Sequence, residues 1–363
     1  MEITNLPLSI EDQLILSTLC YVNYGAFVSP DEKITIGEAS HRVEMAEFDI
    51  ENFRCRRDYD LVKAIQEAPR FADLYMSDIR EFFEDSRQFF AMTVHLPKEK
   101  LIVYRGTDLS LEGWKEDFEM AYEDVVPSQK DALEYLMDIS KKYRGKLSIT
   151  GHSKGGNLAV YAAANASPRV RGRINRVYNN DGPGFHEDSP THHLIPLIED
   201  KVTTIVPASS IIGLLMEHTE DYLIVESNST MIFQHDPYSW VFDGPHFMWS
   251  DSRNSDSFFM DRVAADWLRG MSKEAREQFI DTLFALFGAV GLDSFRGLTK
   301  NVIFRFPEFI RAFRKLPKES RLQFKSVIDA LFHIANQTLF HGSEKEDEPD
   351  DCPLLESDGT IRP

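Results

Sequence analysis

Five residues near the middle of the chain, Gly151-His152-Ser153-Lys154-Gly155, have the types and spacing that make a serine hydroxyl reactive. In a Gly-x-Ser-x-Gly segment set between a strand and a helix, the serine sits on a sharp, strained turn that holds its hydroxyl beyond the strand end. Bulky residues two positions to either side would collide with the neighbouring strand and helix, which explains the glycines. The N-terminus of the following helix favours negative charge that develops beside it. The flanks supply this context. Leu147-Ser148-Ile149-Thr150 reads as a short strand, and an Ala-rich helix runs from Asn157 to Asn165. A tight turn or a phosphate loop would use the same five residues, but the strand before and the helix after favour a nucleophile. The chemistry implied is attack of Ser153 on a carbonyl, an acyl intermediate, and its release to water.

Such a serine needs donors for the oxyanion, a base and an acid. One donor is the N–H of the residue after the nucleophile, Lys154; the other comes from a loop after an earlier strand. Arg105-Gly106-Thr107 follows the strand Lys100-Leu101-Ile102-Val103-Tyr104 and stands in the required place, with Gly106 permitting close backbone approach and Thr107 presenting its N–H. In the α/β-hydrolase order, acid and histidine follow the serine. His186, His192, His193, His218, His235 and His246 all follow it. His235 is preferred because it lies in a loop after the last strand, Tyr222 to Glu226; His218 is next. For the acid, Asp181 stands directly after the strand Arg176 to Asn179 and before the rigid Gly182-Pro183-Gly184. Against this, Asp181 would cap that turn through local bonds alone, and Glu217 and Asp236 stay open as the acid.

Taken together, Tyr104-Arg105-Gly106-Thr107, Trp114, Asp117 and Gly151-His152-Ser153-Lys154-Gly155-Gly156-Asn157-Leu158-Ala159 resemble the class 3 lipases, a family of α/β-hydrolases. The similarity covers about residues 88 to 185 and thins afterwards. More closely, the chain is similar to a mainly bacterial branch of lipase-like hydrolases. That branch carries Asp-Gly-Pro-Gly-Phe, here Asp181 to Phe185, and Gln-His-Asp-x-x-x-Trp, here Gln234 to Trp240. The resemblance implies an α/β-hydrolase fold and a Ser-His-acid triad, and it adds to the case for His235. Two departures stand out. Lys154 replaces the lipase leucine, and an ammonium beside the nucleophile is expected to bear on substrate preference. After the strand Val202 to Val206, where class 3 lipases carry their acid, Pro207-Ala208-Ser209-Ser210 offer no carboxylate.

The elements that must position these residues are partly readable. Ser9-Ile10-Glu11-Asp12 is a capping box opening a helix. Residues 30 to 60 read as polar and irregular, and a mixed helical stretch is expected from Tyr59 to Phe83. Phe89 to Val94 and Lys100 to Tyr104 are strands broken at Pro97. Ser128 is expected to cap a helix carrying Ala132, Leu136, Ile139 and Tyr143. Strands then alternate with helices, which indicates a mostly parallel central sheet flanked by helices. From Asp256 onwards the pattern is helical, and Lys273 to Phe279 is echoed by Lys318 to Phe324. The expected division is an α/β-hydrolase domain over 1–253, a helical cap or accessory region over 254–341, and an acidic, disordered tail over 342–363.

Composition narrows the function classes. A formal net charge of −19, with no run of Lys or Arg, argues against nucleic acid as a partner. Cys20, Cys55 and Cys352 have neither disulfide nor metal spacing, and nothing calls for a metal or cofactor. No export signal or transmembrane run is read, so the cytoplasm is the expected location. The leading expectation is a serine hydrolase cleaving a carboxylic ester or lipid acyl bond in a small-molecule or lipid substrate. The alternatives are a non-catalytic binding or scaffold protein on the same fold, and a thioesterase or acyltransferase. Apolar stripes at Phe279, Leu283, Phe284 and Phe287, and at Val302, Phe306, Phe309, Ile310 and Phe313, read first as core packing and second as a cap or interfacial contact. Oligomeric state is not legible.

Overall fold

A computed structural model describes residues 7–46, 53–84, 87–107, 111–120, 122–208, 210, 213, 216, 218, 220–229, 231–250, 272–289 and scattered positions from 307 to 329. Eight strands form one sheet in sequential order: β1 (Ile34–Thr35), β2 (Tyr75–Glu84), β3 (Arg87–His95), β4 (Glu99–Tyr104), β5 (Lys146–His152), β6 (Ile174–Asn180), β7 (Val202–Pro207) and β8 (Tyr222–Val225). The pairs from β1 to β4 are antiparallel; those from β4 to β8 are parallel. A two-stranded hairpin, β9 (Phe242–Asp243) and β10 (His246–Phe247), follows. The helices are α1 (Ile10–Leu19), α2 (Ile36–Met45), α3 (Arg56–Gln66), α4 (Pro69–Ala72), α5 (Leu111–Glu119), α6 (Pro127–Lys142), α7 (Lys154–Asn165), α8 (Pro168–Arg171) and α9 (Lys273–Ala289).

Both faces of the sheet are buried, and the strand alternation sorts the side chains between them. Phe89 and Ala91 of β3 and Ile102 and Tyr104 of β4 face a core closed by α6 and α7. Phe90, Met92 and Val94, with Leu101 and Val103, face the opposite core, closed by α1, α2 and α3. A strand apolar on both faces reads as a continuous apolar run, which is why β3 and β4 were legible. Burial of one such side chain contributes roughly 1.5–3 kcal/mol. Beneath the ends of β5 and β6 the second face turns polar. Gln13 of α1 and Asn180 exchange hydrogen bonds of 2.9 and 3.0 Å, and Thr150 donates to Gln13. The Ser9 capping box is present, so α1 starts where its sequence indicates.

Three expectations are corrected. The region from 30 to 60 holds β1, α2 and the start of α3. Ile36, Ala39 and Val43 bury one face of α2, while Glu38, His41 and Arg42 on its other faces conceal the period. The stretch from Tyr59 to Phe83 is not a continuous helix: α3 ends at Gln66, and Tyr75–Glu84 is strand β2. The β2–β3 register shifts between Ser77 and Arg80, where Asp78 has φ 57°, so the period-2 signal is broken in mid-strand. Ser128 does not cap α6. Val126 is the cap residue, its N–H bonded to Gln129 at 3.1 Å, and the Ser128 N–H goes to Glu116 Oε1 at 3.0 Å.

The expected boundary at 253/254, the tail over 342–363, and Val302, Phe306, Phe309 and Cys352 lie outside the described residues. α9 packs on α5 through Lys115 Nζ–Asp281 at 2.9 Å and an edge contact of Phe118 with Phe284. Its Phe279 stacks on Phe324, ring centroids 4.9 Å apart, so the two echoed segments meet at equivalent positions.

The tightest packing lies where α7 leaves the sheet. A methyl group on Gly151 would collide with the backbone of Gly155, and one on Gly155 with the carbonyl of Tyr104 in β4. Neither obstacle is a flexible side chain. Gly155→Ala is therefore expected to lose about 3 kcal/mol or more in urea denaturation, at the upper end of overpacking costs. Gly145→Ala, with nothing near the added methyl, should stay within about 0.5 kcal/mol of the parent. Equal stabilities for the two variants would contradict the packing described.

Candidate active site

Ser153 separates β5 from α7 and has φ 59° and ψ −134°. A non-glycine residue in such backbone costs on the order of 1–3 kcal/mol and persists only when its surroundings impose it. Here they do. The Ser153 N–H donates to the carbonyl of Asn180 at 2.9 Å, and the Ser153 carbonyl accepts from Gly156 N at 2.8 Å.

Asp181 follows β6 directly, also at positive φ (52°), with its N–H on the Ile205 carbonyl at 2.8 Å. The turn after it is pinned to its neighbours. Gly182 N donates to Asn179 Oδ1 at 3.0 Å, and Asn157 of α7 donates to the carbonyls of Pro183 and Gly184, both at 3.0 Å. The Asp181 side chain has no exposed surface. Its Oδ2 lies 2.7 Å from His235 Nδ1, and its Oδ1 accepts the Ser210 hydroxyl. Ser210 Oγ in turn accepts the N–H of Gly213 at 3.0 Å. Asp181 thus does more than cap its own turn.

His235 ends a 3₁₀ turn, Met231–His235, in the chain after β8. Trp240 Nε1 donates to the carbonyl of Gln234 at 3.0 Å and steadies that turn. His235 Nε2 is 2.8 Å from Ser153 Oγ. A neutral imidazole whose Nδ1 faces a carboxylate carries its proton there, leaving the Nε2 lone pair to accept the Ser153 O–H.

Three residues widely separated in sequence are therefore brought into one hydrogen-bonded chain. The other histidines lie elsewhere. His218 Nδ1 is 3.1 Å from Glu220, His186 lies against Asp124 and the Glu123 carbonyl, and His246 against Glu11. His192 and His193 occupy the 3₁₀ helix His192–Leu197. Asp236 caps its own turn at Tyr238 N and pairs with Arg57 at 3.2 Å. Glu217 lies outside the described residues.

On the other side of Ser153 runs the loop after β4. A methyl on Gly106 would come within 3.0 Å of Ser153 Cβ, so this loop lies against the serine. Thr107 Oγ1 donates to Asp117 Oδ1 of α5 at 2.7 Å. Burial pushes the Asp117 carboxyl up to about 6, against the opposing pull of the Lys154 ammonium and the Thr107 hydroxyl. The Lys154 side chain, expected to bear on substrate preference, is not open to an incoming molecule. It is wholly buried, with Nζ 2.8 Å from Glu116 Oε2 and 3.2 Å from the Gln88 carbonyl.

Sequence reasoning missed the group behind His235. His152 Nε2 is 2.8 Å from the His235 carbonyl, so it must be the donor, and Nδ1 is left to accept the Tyr21 hydroxyl at 2.8 Å. The Arg54 guanidinium lies over the Tyr21 ring, 3.7 Å from its centroid, and reaches Asp58, which also receives the Tyr238 hydroxyl. Tyr21 precedes His152 by 131 positions, and no local spacing announces the pair. Among the described residues, no cluster of three or more His, Cys, Asp or Glu could hold a metal ion, and no helix is long and apolar enough to cross a membrane.

Burial, reinforced by the nearby His235 and Arg54, holds His152 well below the ordinary histidine value of 6.5. As pH falls below about 6.5, the unfolded chain binds a proton at His152 that the folded chain refuses. Stability is then lost at up to about 1.4 kcal/mol per pH unit from this group alone. His152→Gln should flatten the fall in denaturation free energy between pH 6.5 and 5 by that amount. An unchanged slope would mean that His152 is not held neutral.

The Mbeg1-like family model matches residues 65–285, more than half of the chain and extending into α9. No curated protein matches. Among solved structures, M37 lipase is similar at 15% identity over 57% of this chain and 70% of its own, with a TM-score of 0.37. The native Rhizomucor miehei lipase propeptide complex follows at 16% identity, over 68% of this chain and 75% of its own, with a TM-score of 0.35. Lipase II from Rhizopus niveus follows at 13%, over 68% and 88%, also at 0.35. With its serial, mostly parallel sheet and its serine elbow between β5 and α7, the chain has an α/β-hydrolase fold and belongs to the Mbeg1-like family.

Proposed function

We propose that the protein is a serine hydrolase cleaving carboxylic ester or lipid acyl bonds, with Ser153 as nucleophile, His235 as base and Asp181 as acid. The observation that carries this reading is the unbroken chain Ser153 Oγ–His235 Nε2, 2.8 Å, and His235 Nδ1–Asp181 Oδ2, 2.7 Å, with the serine at the N-terminus of α7. His235 takes the hydroxyl proton as Oγ attacks the carbonyl carbon, and the buried Asp181 carboxylate stabilises the imidazolium that forms. The oxyanion is met by the backbone N–H groups of Thr107 and Lys154, in the field of the helix terminus. His235 returns the proton to the leaving alcohol, and an acyl-Ser153 remains. Water, deprotonated by His235, attacks the acyl carbon; the acid departs and Oγ is reprotonated. Ser210 leaves Asp181 one oxygen for His235 and one for itself, which sets the plane of the carboxylate.

Hydrolysis of p-nitrophenyl butyrate and palmitate by the purified chain tests this. Ser153→Ala and His235→Ala should each lose at least about 10⁴-fold in kcat, and Asp181→Asn roughly 10⁴-fold through the wrong histidine tautomer. Unchanged turnover in Ser153→Ala would overturn the assignment. Good turnover of butyrate with none of a dispersed long-chain ester would remove the lipid arm of the proposal.

A further inference from the structure

One buried group has no task in the proposed mechanism. Lys154 is the residue whose backbone N–H is assigned to the oxyanion, yet its side chain is a charged ammonium sealed from water. Removing an ammonium from water is costly unless partners replace its hydration, so its position is built rather than accidental. Its partners come from two elements. Glu116 Oε2 of α5 lies at 2.8 Å, itself with 1% of its side chain exposed, and the Gln88 carbonyl of β3 lies at 3.2 Å. Asp117 Oδ1, next along α5, lies at 3.8 Å. The other oxygen of Glu116 accepts Ser128 N at 3.0 Å, which anchors α5 to the start of α6.

These contacts close a circuit. Lys154 reaches Glu116 through its ammonium; Glu116 adjoins Asp117; Asp117 takes the Thr107 hydroxyl at 2.7 Å; and the loop bearing Thr107 lies against Ser153, which adjoins Lys154. The two backbone donors assigned to the oxyanion come from segments far apart in sequence, and no strand pairing joins Thr107 to Lys154. We infer that the Lys154 side chain is a positioning group: through Glu116 and Asp117 it sets where the Thr107 N–H stands relative to the Lys154 N–H, so that one residue supplies one oxyanion donor and places the other. This rests on the serine-hydrolase reading and deepens it.

The prediction is specific to the transition state. A donor displaced by about 1 Å costs on the order of 10²-fold in rate, and ground-state binding is unaffected because the oxyanion does not yet exist. Lys154→Met alone strands Glu116 as a buried, unpaired carboxylate and risks unfolding the chain. The decisive variant is Lys154→Met/Glu116→Gln, which removes both charges, keeps the apolar stem and leaves an acceptor for Ser128. Circular dichroism and thermal melting establish that it is folded. kcat and KM are then measured with p-nitrophenyl butyrate, and inhibition with a boronic acid that adds to the serine as a tetrahedral mimic. The expected result is kcat down by roughly 10–100-fold, KM within about twofold, and boronate affinity falling in step with kcat. Thr107→Val, which removes the hydroxyl bond to Asp117 and keeps the backbone N–H, should fall with the double variant. A folded double variant with parental kcat and boronate affinity overturns the inference while leaving the hydrolase reading intact. A parent chain inert toward ester and boronate alike overturns both.

Discussion

Four backbone segments converge on Ser153 with no room for a Cβ atom between them. A methyl on Gly106 would press on Ser153 Cβ and strike the His152 carbonyl, and one on Gly182 would strike the Ser153 carbonyl. Gly151 and Gly155 leave α7 free to start against β4 and β5. This convergence is what keeps Ser153 at positive φ, because the strained turn is cheaper than separating the four segments. It also sets the distances on both sides of the serine. The turn that carries Asp181 is the one held by Gly182, and the loop that carries Thr107 is the one held by Gly106.

Around this steric pinch the charges are disposed in two groups, each withdrawn from water. On the acid side, Asp181 is satisfied by His235 and Ser210, and His152 supports His235 from behind through its carbonyl. On the other side, the Lys154 ammonium meets Glu116 and Asp117. A buried charge is tolerated only with good partners, so each group holds its members where a water-exposed arrangement would let them wander. His152 must stay neutral for its two hydrogen bonds to keep their directions, and its burial ensures that it does.

What the sequence disclosed follows from how local each signal is. The elbow is contiguous, and its glycines answer to contacts within the same motif or the adjoining strand, so it could be recognised unaided. β3 and β4 are apolar on both faces and bounded by turns. β2 escaped because Asp78 interrupts its alternation, and α2 because its apolar face is only three residues deep. The proposed acid, Asp181, is ambiguous in the sequence for a physical reason. An aspartate before Gly-Pro-Gly has a local use in its own turn, and only the distant Ser210 and His235 show where its carboxylate goes. Tyr21, Ser210 and Glu116 act across 29 to 131 positions and left no periodic trace. Lys154 differs in the opposite sense, since a charge next to Ser153 in sequence points into the protein.

The central claim is that folding alone activates Ser153. Reaction of the native chain with a fluorophosphonate, followed by peptide mass mapping, tests it most directly. The account predicts one adduct per chain, on the peptide containing Ser153, and none when the chain is first unfolded in urea. An adduct on another residue, or equal labelling of native and unfolded chains, would contradict it.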